Sequence, residues 1–211
     1  MGRETLLHRV RTALGRSVDQ PPAPVPPARI RIPEIGLDAR IERLLSNVAA
    51  LAGKTHRAAT PAGARAYVSA VLEGRRAVAS NARYLGECGI TGLANVTSGL
   101  TDRTQLRELC ATLDVGITSA DYALADTGTL VLLSSPEEAR MISLLPPAHI
   151  AVVPASRVLT GLDELFSLIP MPADRSSSMV LITGPSRTAD IEQRLVRGVH
   201  GPGELHVVAV G

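Results

Sequence analysis

Five of the seven residues at positions 21–27 are proline, and this run limits every fold open to the chain. Proline fixes φ and carries no N–H, so such a stretch enters neither a helix interior nor an inner strand and runs as an extended polyproline spacer. The 211 residues therefore divide into a short arm, 1–27, and a single body, 28–211, large enough to bury a core without disulfides. In the arm, Leu6, Leu7, Val10, Ala13 and Leu14 share one stripe of a helix predicted over 3–14, with Arg3, Arg9 and Arg11 mostly outside it and Gly15 as its cap. Residues 1–31 hold six arginines against Glu4 and Asp19, a net +4 in a chain whose total is +2. So small a total does not imply nucleic acid. The local excess suits docking on an acidic partner or a tail folded back on its own domain.

The body alternates helical and extended periods, which argues an α/β fold with an open, mainly parallel sheet flanked by helices. The apolar share of the whole chain is 45%, with one Phe, three Tyr and no Trp, so the core is aliphatic. Leu37, Ile41, Leu44, Leu45 and Val48 repeat helically, as do residues 61–73, and 77–79 reads as a short buried strand. Strands follow at 115–118, 122–125, 129–133 and 149–153. Ser135-Pro136-Glu137-Glu138 has capping-box order and predicts a helix that ends at Leu144-Leu145-Pro146-Pro147. A short helix at 160–166 and a surface loop at 170–178 come next. A buried strand at 179–183, a helix at 188–197 capped by Gly198 and a strand at 205–210 then predict a parallel pair with a right-handed crossover. No run of about 18 apolar residues suggests a membrane span, and the N-terminus lacks a secretory signal core, so a cytoplasmic protein is expected.

Three polar clusters are candidates for chemistry. Thr183-Gly184-Pro185-Ser186-Arg187-Thr188 joins a strand to the expected helix, where open α/β sheets bind ligands and helix N–H groups face anions. Gly184, Ser186, Arg187 and Thr188 thus suit a carboxylate or phosphate. The same residues suit a capped first turn, with Arg187 paired to Asp190 and with Glu192 beside it. Asp126-Thr127-Gly128-Thr129 interrupts two strands: Asp126 is a candidate base and Thr127, Gly128 and Thr129 candidate ligand contacts, or the four make a hairpin turn. His200, within Gly198-Val199-His200-Gly201-Pro202-Gly203, is a candidate proton shuttle. In a simple parallel unit it lies at the opposite sheet edge from Gly184.

Other residues read as structural. His149 and His206 suit satisfied, partly buried histidines, and Lys54, the only lysine beside 21 arginines, suits a solvated loop. Cys88 and Cys110, 22 residues apart, supply neither a zinc site nor an iron–sulfur cluster, and no metal site is expected. Ser134 and Ser135 lack a nucleophile-elbow sequence.

The segments Gly116-Ile-Thr-Ser-Ala-Asp-Tyr-Ala-Leu-Ala-Asp-Thr-Gly-Thr-Leu130, Ser143-Leu-Leu-Pro-Pro-Ala-His-Ile150, Thr183-Gly-Pro-Ser-Arg-Thr-Ala-Asp-Ile-Glu192 and Gly198-Val-His-Gly-Pro202 resemble, in order and wording, the LUD-domain family. The likeness spans roughly 112–210 and extends to the basic N-terminal helix. It implies a fold related to phosphosugar isomerases and CoA transferases. It also implies a part in oxidising L-lactate to pyruvate with iron–sulfur lactate-utilisation proteins, this chain being the component that binds no cofactor. The glutamate motif of CoA transferases and the glycine-rich nucleotide loop of folate cyclo-ligases are absent. Two other functions stay open: a stand-alone enzyme on a phosphorylated or CoA-linked metabolite, and a non-catalytic ligand-binding or assembly protein.

Overall fold

A computed structural model describes residues 2–17, 20–21, 33, 35–189 and 195–211, without the side chains at 189 and 195–197. The chain forms two units, Met1–Arg31 and Ile32–Gly211. The first contains helix α1 (Arg3–Ala13). Gly15, at φ +64°, follows it, and the Arg16 N–H reaches back to the Arg11 carbonyl at 2.8 Å, closing the helix as a glycine cap does. Positions 22–27 of the expected proline spacer lie outside the described residues.

The second unit runs α2 (Leu37–Ala50), β1 (Lys54–Ala58), α3 (Pro61–Val71), β2 (Ala77–Ala79), α4 (Arg83–Glu87), β3 (Val96–Thr97) and α5 (Arg103–Thr112). It continues with β4 (Val115–Ser119), β5 (Tyr122–Leu124), β6 (Thr129–Leu133), α6 (Met141–Leu144), β7 (Ala148–Pro154), β8 (Val158–Leu159) and α7 (Leu162–Leu168). It ends with β9 (Met179–Thr183), β10 (Arg187–Ala189), β11 (Leu195–Arg197) and β12 (Glu204–Val210). A six-stranded sheet has the order β1-β12-β7-β4-β2-β3, every neighbouring pair parallel. A four-stranded sheet, β8-β5-β6-β9, is antiparallel except between β5 and β8.

The apolar runs of β4, β7 and β12 suit strands covered on both faces. On one face Ile117, Ile150 and Val208 pack with Val68 and Leu72 beside α3 and Leu85 of α4. On the other, Ala151, Val153 and Val207 meet Ile41, Leu44 and Val48 of α2 together with Ala123, Leu130 and Leu132 of the smaller sheet. Leu106 and Cys110 of α5 and Ile142 of α6 cover Val78. Two glycines permit the closest approaches to backbone atoms. A Cβ on Gly116 would fall 1.9 Å from the Ile142 carbonyl oxygen, and Gly128, at φ +69°, leaves room for the backbone of α2, where a Cβ would stand 2.9 Å from the Val48 nitrogen.

Four sequence expectations need correction. Ser135 Oγ does accept from the Glu137 and Glu138 N–H groups, at 3.1 and 3.0 Å, yet the helix is confined to Met141–Leu144 because Glu138 turns inward instead of onto a first turn. The strand at 179–183 is not buried: Leu181 is 44% exposed, and β9 pairs antiparallel with β6, so it forms no parallel unit with β12. The helix expected at 188–197 is extended on both flanks, Arg187–Ala189 pairing antiparallel with Leu195–Arg197, while 190–194, with Asp190 and Glu192, lie outside the described residues. Lys54 belongs to β1 rather than to a loop.

Candidate functional site

Parallel strands leave their ligand-binding loops at the carboxyl ends. Here β2, β4 and β7 deliver Ser80, Ser119 and Pro154 to one end of the large sheet, where Ser119 and Pro154 line a cleft of about 570 Å³ together with Arg83, Asp121, Glu138, Arg157 and Arg175. Glu138 is 6% exposed. Its Oε2 accepts from Ser80 Oγ at 2.7 Å and from the Ser119 N–H at 3.2 Å, whereas Oε1 has no hydrogen-bond partner among the described residues. Burial raises the carboxyl to about 8 and outweighs the two bonds that favour the carboxylate. Burial thus favours the protonated carboxyl, and because Oε2 already accepts two bonds, its proton falls to Oε1. Asp121 is raised by burial too, against the Leu133 N–H on its Oδ2 at 2.7 Å and the charge of Arg157. The Arg157 guanidinium lies 5.3 Å from the Tyr122 ring centroid, a cation–π contact that orients it.

The expected site residues are at the other end. Gly184, Ser186, Arg187 and His200 line a cleft of about 400 Å³ beside His149 and Leu205, near the starts of β7 and β12. The opposition anticipated between Gly184 and His200 does not exist, because β9 has left the parallel sheet. The Ser186 N–H donates to the Pro202 carbonyl at 2.9 Å, and the Gly198 N–H to the Ser186 carbonyl at 3.1 Å. Arg187 Nη2 donates to the carbonyl of Leu51, the residue that ends α2, where carbonyls lack helical partners. Thr188 stands on β10. The 126–129 segment turns between antiparallel strands, and its hydroxyls pair with one another: Thr127 Oγ1 lies 2.8 Å from Thr129 Oγ1, which lies 2.8 Å from Thr183 Oγ1. Asp126 accepts from Thr127 Oγ1 at 3.2 Å, and a Cβ on Gly161 would come 2.5 Å from its Oδ2.

His149 is only half satisfied. Nε2 meets Thr118 Oγ1 at 2.8 Å, while Nδ1 has no partner among the described residues; burial first, then His206, lowers its pKa to about 3. His206 is fully engaged, with Nδ1 on the Tyr67 hydroxyl at 2.9 Å and Nε2 on Glu204 at 2.8 Å. Glu204 also receives Lys54 at 2.6 Å and Arg75 at 3.1 Å, and these partners, Lys54 first, hold its pKa near 2. Among the described residues, no three His, Cys, Asp or Glu side chains stand close enough to hold a metal, and no helix is long and apolar enough to cross a membrane.

Glu138 and Asp121 are not among the site residues expected from the sequence. The available signal was the position of each beside a strand: Ser-Ser-Pro-Glu-Glu follows the aliphatic end of β6, and Asp121 follows β4 by two residues.

The fold and its two clefts define an α/β protein with a mixed second sheet. The LUD domain matches residues 41–210, and the chain belongs to that family. It is 42% identical over 106 residues to "Lactate utilization protein C" of Halalkalibacterium halodurans, covering 48% of this chain and 46% of that protein. It is 34% identical over 139 residues to "Lactate utilization protein C 1" of Bacillus mycoides, covering 61% and 59%. The alignments thus span about half the length of these curated relatives. The crystal structure of a DUF162 family protein from Deinococcus radiodurans superposes with a TM-score of 0.65 at 18% identity, over 84% of this chain and 99% of that one, a likeness of fold.

Proposed function

We propose that this protein serves lactate utilisation, as the cluster-free component of a cytoplasmic system that oxidises L-lactate to pyruvate beside iron–sulfur proteins. The observation that carries the reading is family membership across residues 41–210, with relatives named for lactate utilisation at 34% to 42% identity. Converting the C2 hydroxyl of lactate to a carbonyl releases two electrons and two protons, which need an acceptor. Cys88 and Cys110 are both buried, and burial raises their thiols, Cys110 to about 11, so neither is a ready thiolate ligand. In this reading iron–sulfur clusters held by the partner proteins would take up the two electrons one at a time, and the two protons would pass to water.

Such a system handles a small carboxylate. The convergence of Gly184, Ser186, Arg187 and His200 supports an anion contact at the amino-end cleft. Arg187's bond to Leu51 and the mutual pairing of Thr127, Thr129 and Thr183 favour the carboxyl-end cleft instead. The test of the function is growth on L-lactate as sole carbon source after deletion of the gene. The expected result is loss of growth on L-lactate with growth on glucose retained; undiminished growth on L-lactate overturns the reading.

A further inference from the structure

We propose that the cleft at the carboxyl ends of β2, β4 and β7 is a binding site for an organic oxyanion, with Arg157 and Arg175 facing its charge and the Glu138 carboxyl donating a hydrogen bond to one of its oxygens. The proposal rests on the lactate reading only for the choice of a three-carbon acid as first probe.

Four observations carry it. Glu138 is almost wholly buried, yet only one of its two oxygens is satisfied by the protein. A buried polar atom without a partner is uncommon in folded proteins and calls for one. The loop that presents it is held in advance: Ser135 Oγ fixes the Glu137 and Glu138 N–H groups, and the Asn81 N–H, just beyond β2, donates to the Glu137 carbonyl at 2.8 Å. The same cleft is lined by Arg157, steadied on Tyr122, and by Arg175, while Arg83 is engaged by Glu87 at 2.8 Å. Arginine's planar fork suits carboxylate and phosphate oxygens. Finally, about 570 Å³ falls within the range of small-molecule sites. A merely structural Glu138 would clamp Ser80 and Ser119 through Oε2 alone, and nothing in that role uses Oε1 or the arginines.

Carboxylates and phosphate esters share this oxyanion chemistry, and separate probes distinguish them. The full chain, with its glutamate side-chain carboxyls labelled with ¹³C, is titrated with L-lactate and in parallel with inorganic phosphate. The Glu138 resonance is identified by its loss in Glu138→Gln. L-lactate is expected to shift that resonance. Arg157→Ala is expected to weaken L-lactate binding about tenfold or more, the effect of losing one charge-assisted contact. Glu138→Gln, whose amide still donates, keeps the affinity within about threefold, while Glu138→Met, of similar length without a donor, loses about tenfold. Melting curves identify any variant that fails to fold, and Glu138→Gln keeps the test open if Glu138→Met does. A shift with phosphate alone assigns the cleft to phosphorylated ligands and separates it from the lactate reading. If neither probe moves the Glu138 resonance, or if Arg157→Ala binds as tightly as the parent, the site is refuted whatever the growth phenotype.

Discussion

The hydroxyl of Ser80 donates to Oε2 of Glu138 across 2.7 Å, joining the residue that follows β2 to a loop 58 positions further along the chain. The bond spans the end of the parallel sheet, and with the Ser119 N–H it fixes one oxygen of a carboxyl whose ionised form burial opposes.

That opposition has a measurable sign. Unfolded, Glu138 loses its proton near the ordinary 4.5; folded, it holds the proton to about 8. Between these values the native state binds more protons, so this group's contribution to stability is full below 4.5 and declines through the window, by at most about 1.4 kcal/mol per pH unit. Urea unfolding at pH 5, 6.5 and 8 is expected to show Glu138→Gln gaining on the parent as pH rises. Parallel stability curves for the two proteins contradict the assignment.

His149 gives the opposite slope at lower pH. It is buried and neutral, with a folded pKa near 3 against 6.5 unfolded, so its contribution is present above 6.5 and is lost as pH falls toward 3. Thr118→Val removes the partner of Nε2 and leaves both ring nitrogens unsatisfied; a loss of about 1–3 kcal/mol is expected by thermal or urea denaturation. An unchanged midpoint shows that the hydroxyl contributes nothing.

The packing of α6 on β4 depends on the missing side chain of Gly116. A Cβ there would meet a backbone carbonyl at 1.9 Å, an obstacle that no rotamer relieves, so Gly116→Ala is expected to cost about 1–3 kcal/mol or more. Gly92→Ala is the control, since a Cβ at Gly92 meets nothing closer than the Gly89 carbonyl oxygen at an ordinary 3.7 Å. Similar melting temperatures for the two variants contradict the account of this contact.

Arg187 separates the two clefts. If it serves to complete the end of α2 through Leu51, Arg187→Ala costs about 1 kcal/mol of stability or less and leaves L-lactate binding unaltered in calorimetry. That is the expected outcome. A ten- to hundredfold loss of affinity with the fold intact returns the oxyanion to the amino-end cleft.

The parts of the fold that were legible carry local signals. α2 follows from the spacing of Ile41, Leu44 and Val48, and β6, β7 and β12 from the aliphatic stretches 130–133, 150–153 and 207–210. Helix α3 was legible in the helical period of residues 61–73, whereas α5 went unread, although Asp102 caps it through a bond to the Gln105 N–H at 2.7 Å. Glu138 was misread for a different reason. The capping-box bonds form, but a partner at Ser80 draws the side chain into the sheet, and no local pattern encodes a choice made so far away. β9 has the aliphatic content of a buried strand, yet none of its five residues is buried, because burial follows from which strand it pairs with. The convergence of Ser186 with Pro202 depends on that same pairing.

The most direct test of the central claim is pyruvate formation from L-lactate in extracts of cells lacking this gene, before and after addition of the purified chain assayed for iron. The account predicts that the extract has lost the conversion, that the added protein restores it, and that the added protein carries no stoichiometric iron. Undiminished conversion in the deletion extract, or restoration only by protein holding about one or more iron atoms per chain, contradicts it.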